Sequence, residues 1–229
     1  MQKNGLERFS TLIKLYVLHK IIDLRKQISE WKSEGLSVGL VPTMGGLHNG
    51  HRSLIKLASK KCDRVIVSIF INPTQFGDDE DFETYPQTQK SDITLISEAG
   101  GDAAFIPNVS EMYPRGFSTK VSVIGLTNML CGASRPGHFD GVTQVVAKLL
   151  NQVSADMAFF GEKDWQQLTI IKRLVRDLDI PTKIVNVATV RDEFGLALSS
   201  RNSYLNSSQL EIARKLSSVL QMTAYNIAS

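Results

Sequence analysis

Two histidines three positions apart, His48 and His51, flank Asn49 and Gly50 and follow the run Met44-Gly45-Gly46-Leu47. On the first turn of a helix that spacing sets both rings on one side. Glycines let backbone approach a ligand with no Cβ in the way. A helix start aims free amides and a positive dipole end at the same place, which favours an anion such as phosphate. Two imidazoles beside it suit charge neutralisation during nucleotidyl transfer. A purely structural strand–turn–helix junction shares this local pattern, so the rest of the chain has to decide. Zinc is disfavoured, because the other histidines and cysteines complete no cluster at ligand spacing.

Three more groups of polar residues stand where chemistry is possible. Lys163 and Asp164 follow Gly161-Glu162 at the end of a short apolar run. A lysine there reaches phosphate oxygens and a carboxylate holds ribose or metal, or the two form a salt-bridged turn. Ser199, Ser200 and Arg201 make a phosphate clamp, since guanidinium matches phosphate in a bidentate way. A serine-rich linker between domains would look similar. Asn72 and Gln75 sit where Pro73 stops the apolar run 64–71, at the carboxyl end of a strand, the edge where α/β sheets bind ligands. The alternative is a polar turn with no ligand. Arg135 and His138 lie in a loop-rich segment and either face an anionic substrate or order the loop or a subunit contact.

Elements to hold these groups are readable from periodicity. Residues 37–41 are small and apolar enough for a buried strand, and 64–71 is a continuous apolar run of the kind found in central parallel strands. Short strands are expected at 103–107 and 182–189. Leu24, Ile28 and Trp31 form the buried stripe of a helix ending near Gly35, and Leu54, Ile55, Leu57 and Ala58 give an apolar face to the helix beginning near His51. Val142, Val145, Val146, Leu149, Leu150 and Val153 repeat at helical spacing, as do Leu168, Ile171, Leu174, Val175 and Leu178. A helix is expected near 90–98, closed by Gly100-Gly101. A last helix spans 209–227, with Ile212, Leu216, Leu220 and Met222 on an apolar face. The acidic residues 78–81 read as a mobile loop.

The chain has 229 residues, 42% apolar and 21% charged, an ordinary composition for a folded protein with one substantial core and a small second lobe. A net charge of +3 is too small to argue for nucleic acid but suits anionic small molecules. Cys62 and Cys131 belong to no metal or redox motif, so reduced thiols and a cytoplasmic location are expected. No run nears the ~18 apolar residues of a membrane span, and no signal peptide is read in the short apolar segment 12–18.

Residues 42–51, Pro-Thr-Met-Gly-Gly-Leu-His-Asn-Gly-His, closely resemble the signature of the pantoate–β-alanine ligase family, within the HxGH nucleotidyltransferase superfamily. That element alone is shared by other adenylyltransferases and by class I aminoacyl-tRNA synthetases. Four further segments match the same family in order: Asn72-Pro-Thr-Gln-Phe76, the loop 130–142, Gly161-Glu-Lys-Asp-Trp-Gln-Gln167, and Gly195-Leu-Ala-Leu-Ser-Ser-Arg-Asn202. The resemblance runs over roughly 16–220. It implies a Rossmann-like α/β parallel-sheet domain over 16–188 that binds ATP and pantoate, the start of a truncated C-terminal α/β lid over 189–229, and an N-terminal extension over 1–15. It implies condensation of pantoate with β-alanine, driven by ATP through a pantoyl adenylate. ATP would contact Met44 to His51, Gly161 to Asp164, Val190, and Leu198 to Arg201. Gln75 and Gln167 would hold pantoate, with Asn72 in support. His51, His48 and Lys163 would be catalytic, His51 protonating or hydrogen-bonding the pyrophosphate leaving side. Magnesium is expected on the phosphates without a protein cage, and a homodimer is borrowed from the family. The rival readings are another HxGH enzyme, or a chain that binds nucleotide with impaired turnover because its lid is incomplete.

Overall fold

The computed structural model describes residues 15–228, so all but Leu15 of the expected extension over 1–15 lies outside the described residues. Its centre is one sheet of six parallel strands: β1 (Tyr16–Leu18), β2 (Val38–Thr43), β3 (Arg64–Ile69), β4 (Ala103–Phe105), β5 (Met157–Gly161) and β6 (Lys183–Val187), in the order β1-β4-β3-β2-β5-β6. The helices are α1 (Ile21–Ser33), α2 (Asn49–Lys61), α3 (Gln89–Ala99), α4 (Val109–Met112), α5 (Cys131–Ser134), α6 (His138–Val153), α7 (Trp165–Asp177) and α8 (Ser207–Ala228).

Strand alternation explains why both faces are covered. Val38 and Leu40 of β2, Ile66 of β3 and Phe160 of β5 enter one apolar cluster, shared with α1, α6 and α7. Val41, Val65, Val67, Ile69 and Phe159 enter the other, shared with α2 and α3. Successive side chains of a strand point to opposite faces, so central strands buried on both sides read as continuous apolar runs. The helical stripes pack as their spacing requires: Leu24, Ile28 and Trp31 of α1, and the valine–leucine face of α6, are buried.

The chain starts at the β1 edge, crosses to the central β2, steps back through β3 to β4 beside β1, then crosses to β5 and β6 on the other side of β2. Strand order therefore reverses between β2 and β5, which pair directly at Gly39↔Met157 and Leu40↔Ala158. Beyond the carboxyl ends of these strands lies the crevice at which open α/β sheets bind ligands.

The periphery adds two facts. Helix α8 forms as expected, and Ile212, Leu216, Leu220 and Met222 on it are exposed, with Ser217 its one buried residue. Its periodicity made a helix without a described partner for its apolar face. The acidic segment carries two bidentate pairs, as the site shows.

Candidate active site

At the switch point a cavity of about 260 Å³ opens above β2 and β5, near the lower end for small-molecule sites. Its lining includes Met44, His48, Gly50, His51, Gln75, Gly161, Lys163, Asp164 and Gln167, and then Val190, Leu198, Ser199, Ser200 and Arg201. Tyr85, Arg135 and His138 line it as well. Segments more than 150 residues apart in sequence thus meet because every one of them follows the carboxyl end of a strand, or is tethered to such a turn.

The turn after β2 takes its shape from Gly45 (φ +90°) and Gly46 (φ +61°), left-handed conformations that glycine adopts without a Cβ penalty. It rests on Asp92 of α3, a carboxylate only 2% exposed. Asp92 accepts from the Gly46 amide at 3.1 Å, the Leu47 amide at 2.8 Å and the Thr88 hydroxyl at 3.0 Å. Two turn amides are therefore committed to a protein carboxylate. Gly45, Gly46, Leu47 and Asn49 form the backbone of this turn and its helix start, while His48 and His51 lie along the cavity.

Helix α2 starts at Asn49, with His48 as its N-cap, slightly earlier than the expected start at His51. His48 Nδ1 accepts from the Gly50 amide at 3.0 Å, and His51 Nδ1 accepts from the His48 amide at 3.3 Å. A pair of imidazoles thus fills the capping role that serine and glutamate usually share. The rings lie 4.2 Å apart between centroids. A Cβ on Gly50 would fall 2.7 Å from His48 Cε1, so a side chain there would push the ring aside.

Because backbone N–H groups can only donate, both Nδ1 atoms must be unprotonated, which leaves the proton of each neutral ring on Nε2. Electrostatics agree. Burial lowers the His51 pKa to about 3, helped by His48 and Lys163, and burial and then Lys163 lower that of His48. His51 is consequently a neutral hydrogen-bond donor. Of the two roles expected for His51, hydrogen bonding to the leaving side is the one that a neutral ring with its proton on Nε2 is set up to play. Lys163 Nζ pairs with Asp164 Oδ1 at 2.9 Å, the salt-bridged turn that the sequence left open, and still lines the cavity. Glu162 turns to Asn186, whose Nδ2 donates to it at 3.4 Å.

After β3, a 3₁₀ turn (Pro73–Gln75) carries Gln75 to the cavity. Asn72, 1% exposed, stands behind it. Its Nδ2 donates to Gln75 Oε1 and to the Gly141 carbonyl, each at 3.1 Å, and its Oδ1 accepts from Tyr113 Oη at 2.9 Å and from Thr74. Asn72 therefore orients Gln75 instead of facing the cavity. Gln75 Nε2 reaches Met44 Sδ at 3.2 Å. The neighbouring Gln166 spends its amide on the loop 126–131, and Gln167 is the glutamine that lines the cavity.

The clamp residues are already engaged. Ser200 Oγ donates to the Gly46 carbonyl at 2.9 Å, fastening the segment to the glycine turn. Ser199 Oγ accepts from the Arg201 amide. Arg201 grips Asp81 through Nε at 2.8 Å and Nη2 at 2.7 Å, and its guanidinium lies 5.5 Å from the Tyr85 ring centroid. Arg135 grips Glu80 in the same way, with Nε at 2.6 Å and Nη2 also bonded. Arginine hydrogen bonds hold both carboxyls below their usual range. The segment 78–81, expected to be mobile, thus carries two bidentate pairs, at Glu80 and Asp81.

Asp92 and Tyr85 escaped the sequence reading as site residues, and so did the arginine partners of Glu80 and Asp81. No motif marks a carboxylate that supports a turn from a distant helix. An acidic loop signals its arginine partners only once the fold brings them together.

A family model described as Pantoate-beta-alanine ligase matches residues 16–228. The chain is 53% identical over 213 residues to a pantothenate synthetase of Dinoroseobacter shibae, covering 93% of this chain and 76% of that one. It is 56% identical over 191 residues to a pantothenate synthetase of Cereibacter sphaeroides, covering 83% and 68%. A crystal structure of pantothenate synthetase from Thermus thermophilus superposes with a TM-score of 0.87 at 46% identity, over 90% of this chain and 74% of that one. A pantoate-beta-alanine ligase from Francisella tularensis, complexed with beta-gamma ATP and beta-alanine, superposes with a TM-score of 0.85 at 42% identity, covering 90% and 79%.

Proposed function

The chain belongs to the pantoate–β-alanine ligase family, and from that premise we infer that it condenses pantoate with β-alanine to pantothenate, with ATP converted to AMP and pyrophosphate. A pantoate carboxylate oxygen attacks the α-phosphorus, the bond to the β-phosphate oxygen breaks, and pyrophosphate leaves. The unprotonated amine of β-alanine then attacks the acyl carbon of the adenylate. The acyl–oxygen bond breaks, AMP leaves with the electron pair, and the amine proton passes to solvent.

The observation that best supports site roles is the pair of neutral imidazoles at the start of α2. Their Nδ1 atoms are fixed by backbone, so each offers Nε2–H as a preset donor. Charge that builds on the phosphate oxygens needs donors that do not reorganise, and such donors contribute most in a water-poor site. We assign His48, His51 and Lys163 to that charge, with the Gly161–Asp164 turn, Val190 and the Leu198–Arg201 segment along the nucleotide. Gln75 and Gln167 take pantoate, where an amide can donate to carboxylate or hydroxyl without adding charge. Asp164 is the hard oxygen donor beside the proposed phosphates, and no group of three or more metal-binding side chains occurs among the described residues. That donor set fits a magnesium ion carried mainly on the triphosphate, where it would neutralise phosphate charge.

We place the substrate-binding domain at 16–188 and assign 189–229 to a lobe that brings Ser199, Ser200 and Arg201 over ATP. No described helix is long and apolar enough to cross a membrane. A cytoplasmic homodimer completes the proposal, drawn from the family and checked by light scattering on the purified chain. The direct test of function is AMP and pantothenate formation with all three substrates, each omitted in turn. Turnover that ignores pantoate would overturn the assignment.

A further inference from the structure

The cations around the cavity differ in what holds them. Lys163 is close enough to both His48 and His51 to depress their protonation, and Arg201 belongs to the segment fastened to Gly46. Both therefore serve the end where the phosphates are proposed to lie. Arg135 is anchored instead on the turn that carries Gln75. His138 Nδ1 is 2.8 Å from the Gln75 carbonyl, which can only accept, so Nδ1 carries the proton. His138 Nε2 then accepts from Arg135 Nη1 at 3.1 Å. This chain of bonds fixes Arg135 relative to Gln75. It uses one edge of the guanidinium and leaves the Nε/Nη2 edge for a carboxylate, here that of Glu80.

We propose that Arg135 is the specificity-determining residue for the amino-acid substrate, its Nε/Nη2 edge exchanging the Glu80 carboxylate for that of β-alanine, with His138 as the residue that positions it. The inference rests on the ligase reading above. Two acids enter this reaction and only one keeps its charge. The pantoate carboxylate must leave any cation to attack phosphorus and ends as a neutral acyl group, so a bidentate guanidinium on it would stabilise the ground state over the transition state. The β-alanine carboxylate is a spectator that stays anionic in both states. Entering a partly enclosed cavity, it needs a charge partner, and a planar fork meets it in two parallel bonds. Glu80 shows that the fork accepts a carboxylate in that geometry. Exchange of one carboxylate for another leaves the number of charged hydrogen bonds unchanged.

The test separates the two half-reactions in the full chain. Pantoate-dependent exchange of pyrophosphate into ATP reports adenylate formation, and pantothenate formation reports the amine step. In Arg135→Gln the KM for β-alanine is expected to rise about 10- to 100-fold, the effect of losing a charged hydrogen-bond pair, while exchange changes far less. 3-Aminopropanamide, which carries an uncharged amide in place of the carboxylate, should be a poor substrate for the parent. Arg135→Gln should use it and β-alanine about equally. Glu80→Gln should lower the KM for β-alanine by removing the competing carboxylate. His138→Asn keeps a donor near the Gln75 carbonyl but loses the acceptor for Arg135, so the KM for β-alanine should rise with little change in that for pantoate. Equal losses in exchange and in the amine step, or full discrimination against the amide by Arg135→Gln, would overturn the proposal. Absence of exchange and of pantothenate in the parent chain would instead overturn the ligase reading on which it rests.

Discussion

Asp81 holds both donor atoms on one edge of Arg201, accepting from Nε at 2.8 Å and Nη2 at 2.7 Å across 120 residues of sequence. An internal carboxylate thus occupies the same edge that a phosphate would take. If Arg201 binds the triphosphate, ATP must displace Asp81. Asp81→Asn should lower the KM for ATP by up to about fivefold, the scale of a partly exposed ion pair. A higher KM in a steady-state ATP titration would mean that Asp81 aims the clamp instead of competing for it.

His51 offers a preset N–H, so its removal should affect rate more than binding. In His51→Ala, adenylate formation should fall by about 10²-fold or more, as when an oxyanion donor is lost, with a smaller change in ATP affinity. Pyrophosphate exchange in single turnovers measures the first and calorimetry the second. A normal exchange rate would remove His51 from the catalytic set.

The buried histidines also make stability depend on pH in one direction. His48, His51 and His138 are all harder to protonate in the folded chain than the ordinary value of 6.5, His51 down to about 3. The unfolded chain therefore binds more protons below about pH 6.5. The stability they contribute is complete above that pH and declines as pH falls toward 3. Urea midpoints should drop steadily from pH 7 to pH 5, and His51→Gln should flatten the slope. An unchanged slope in that variant would show that His51 is protonated freely in the native state.

Gln75 and Gln167 should separate ligand from fold. Replacing either with Ala should weaken pantoate, by about the 10-fold or so of a lost hydrogen bond, and leave ATP binding nearly intact. Titration of each ligand by calorimetry is sufficient. Equal losses for both ligands would assign the glutamines to structure.

Asp92 is buried with three donors, so Asp92→Ala strands the Gly46 and Leu47 amides. Each unsatisfied buried amide costs about 1–3 kcal/mol, and the turn that sets the histidines should loosen with it. Lower thermal stability together with weaker adenylate formation is the expected pair of results. Full activity at reduced stability would confine Asp92 to the scaffold.

The sheet was legible because its central strands are buried on both faces, which writes 64–69 as one apolar run, and because α1 and α6 repeat their core residues at helical spacing. The glycine turn and the histidine pair were legible because their chemistry is local, within one helical turn. What was not legible is pairing over distance. Whether Asp92 supports Gly46, Asp81 meets Arg201 or Arg135 reaches Gln75 through His138 is decided by the strand order. The exposure of α8 was not legible for a related reason: periodicity specifies an apolar stripe and says nothing of the surface that covers it.

The reversal of strand order between β2 and β5 has a kinetic side. Gly39 and Met157, neighbours in the sheet, are 118 positions apart in the chain. Closing a loop of that size comes late, since non-local pairings gain nothing until their entropy has been met. During refolding the half built from β1 to β4 can consolidate while β2 still presents a bare edge. In that interval the chain would be most prone to pair with its neighbours. Enzymatic competence would then return last, in step with the joining of β5 and β6, well after most of the helix signal.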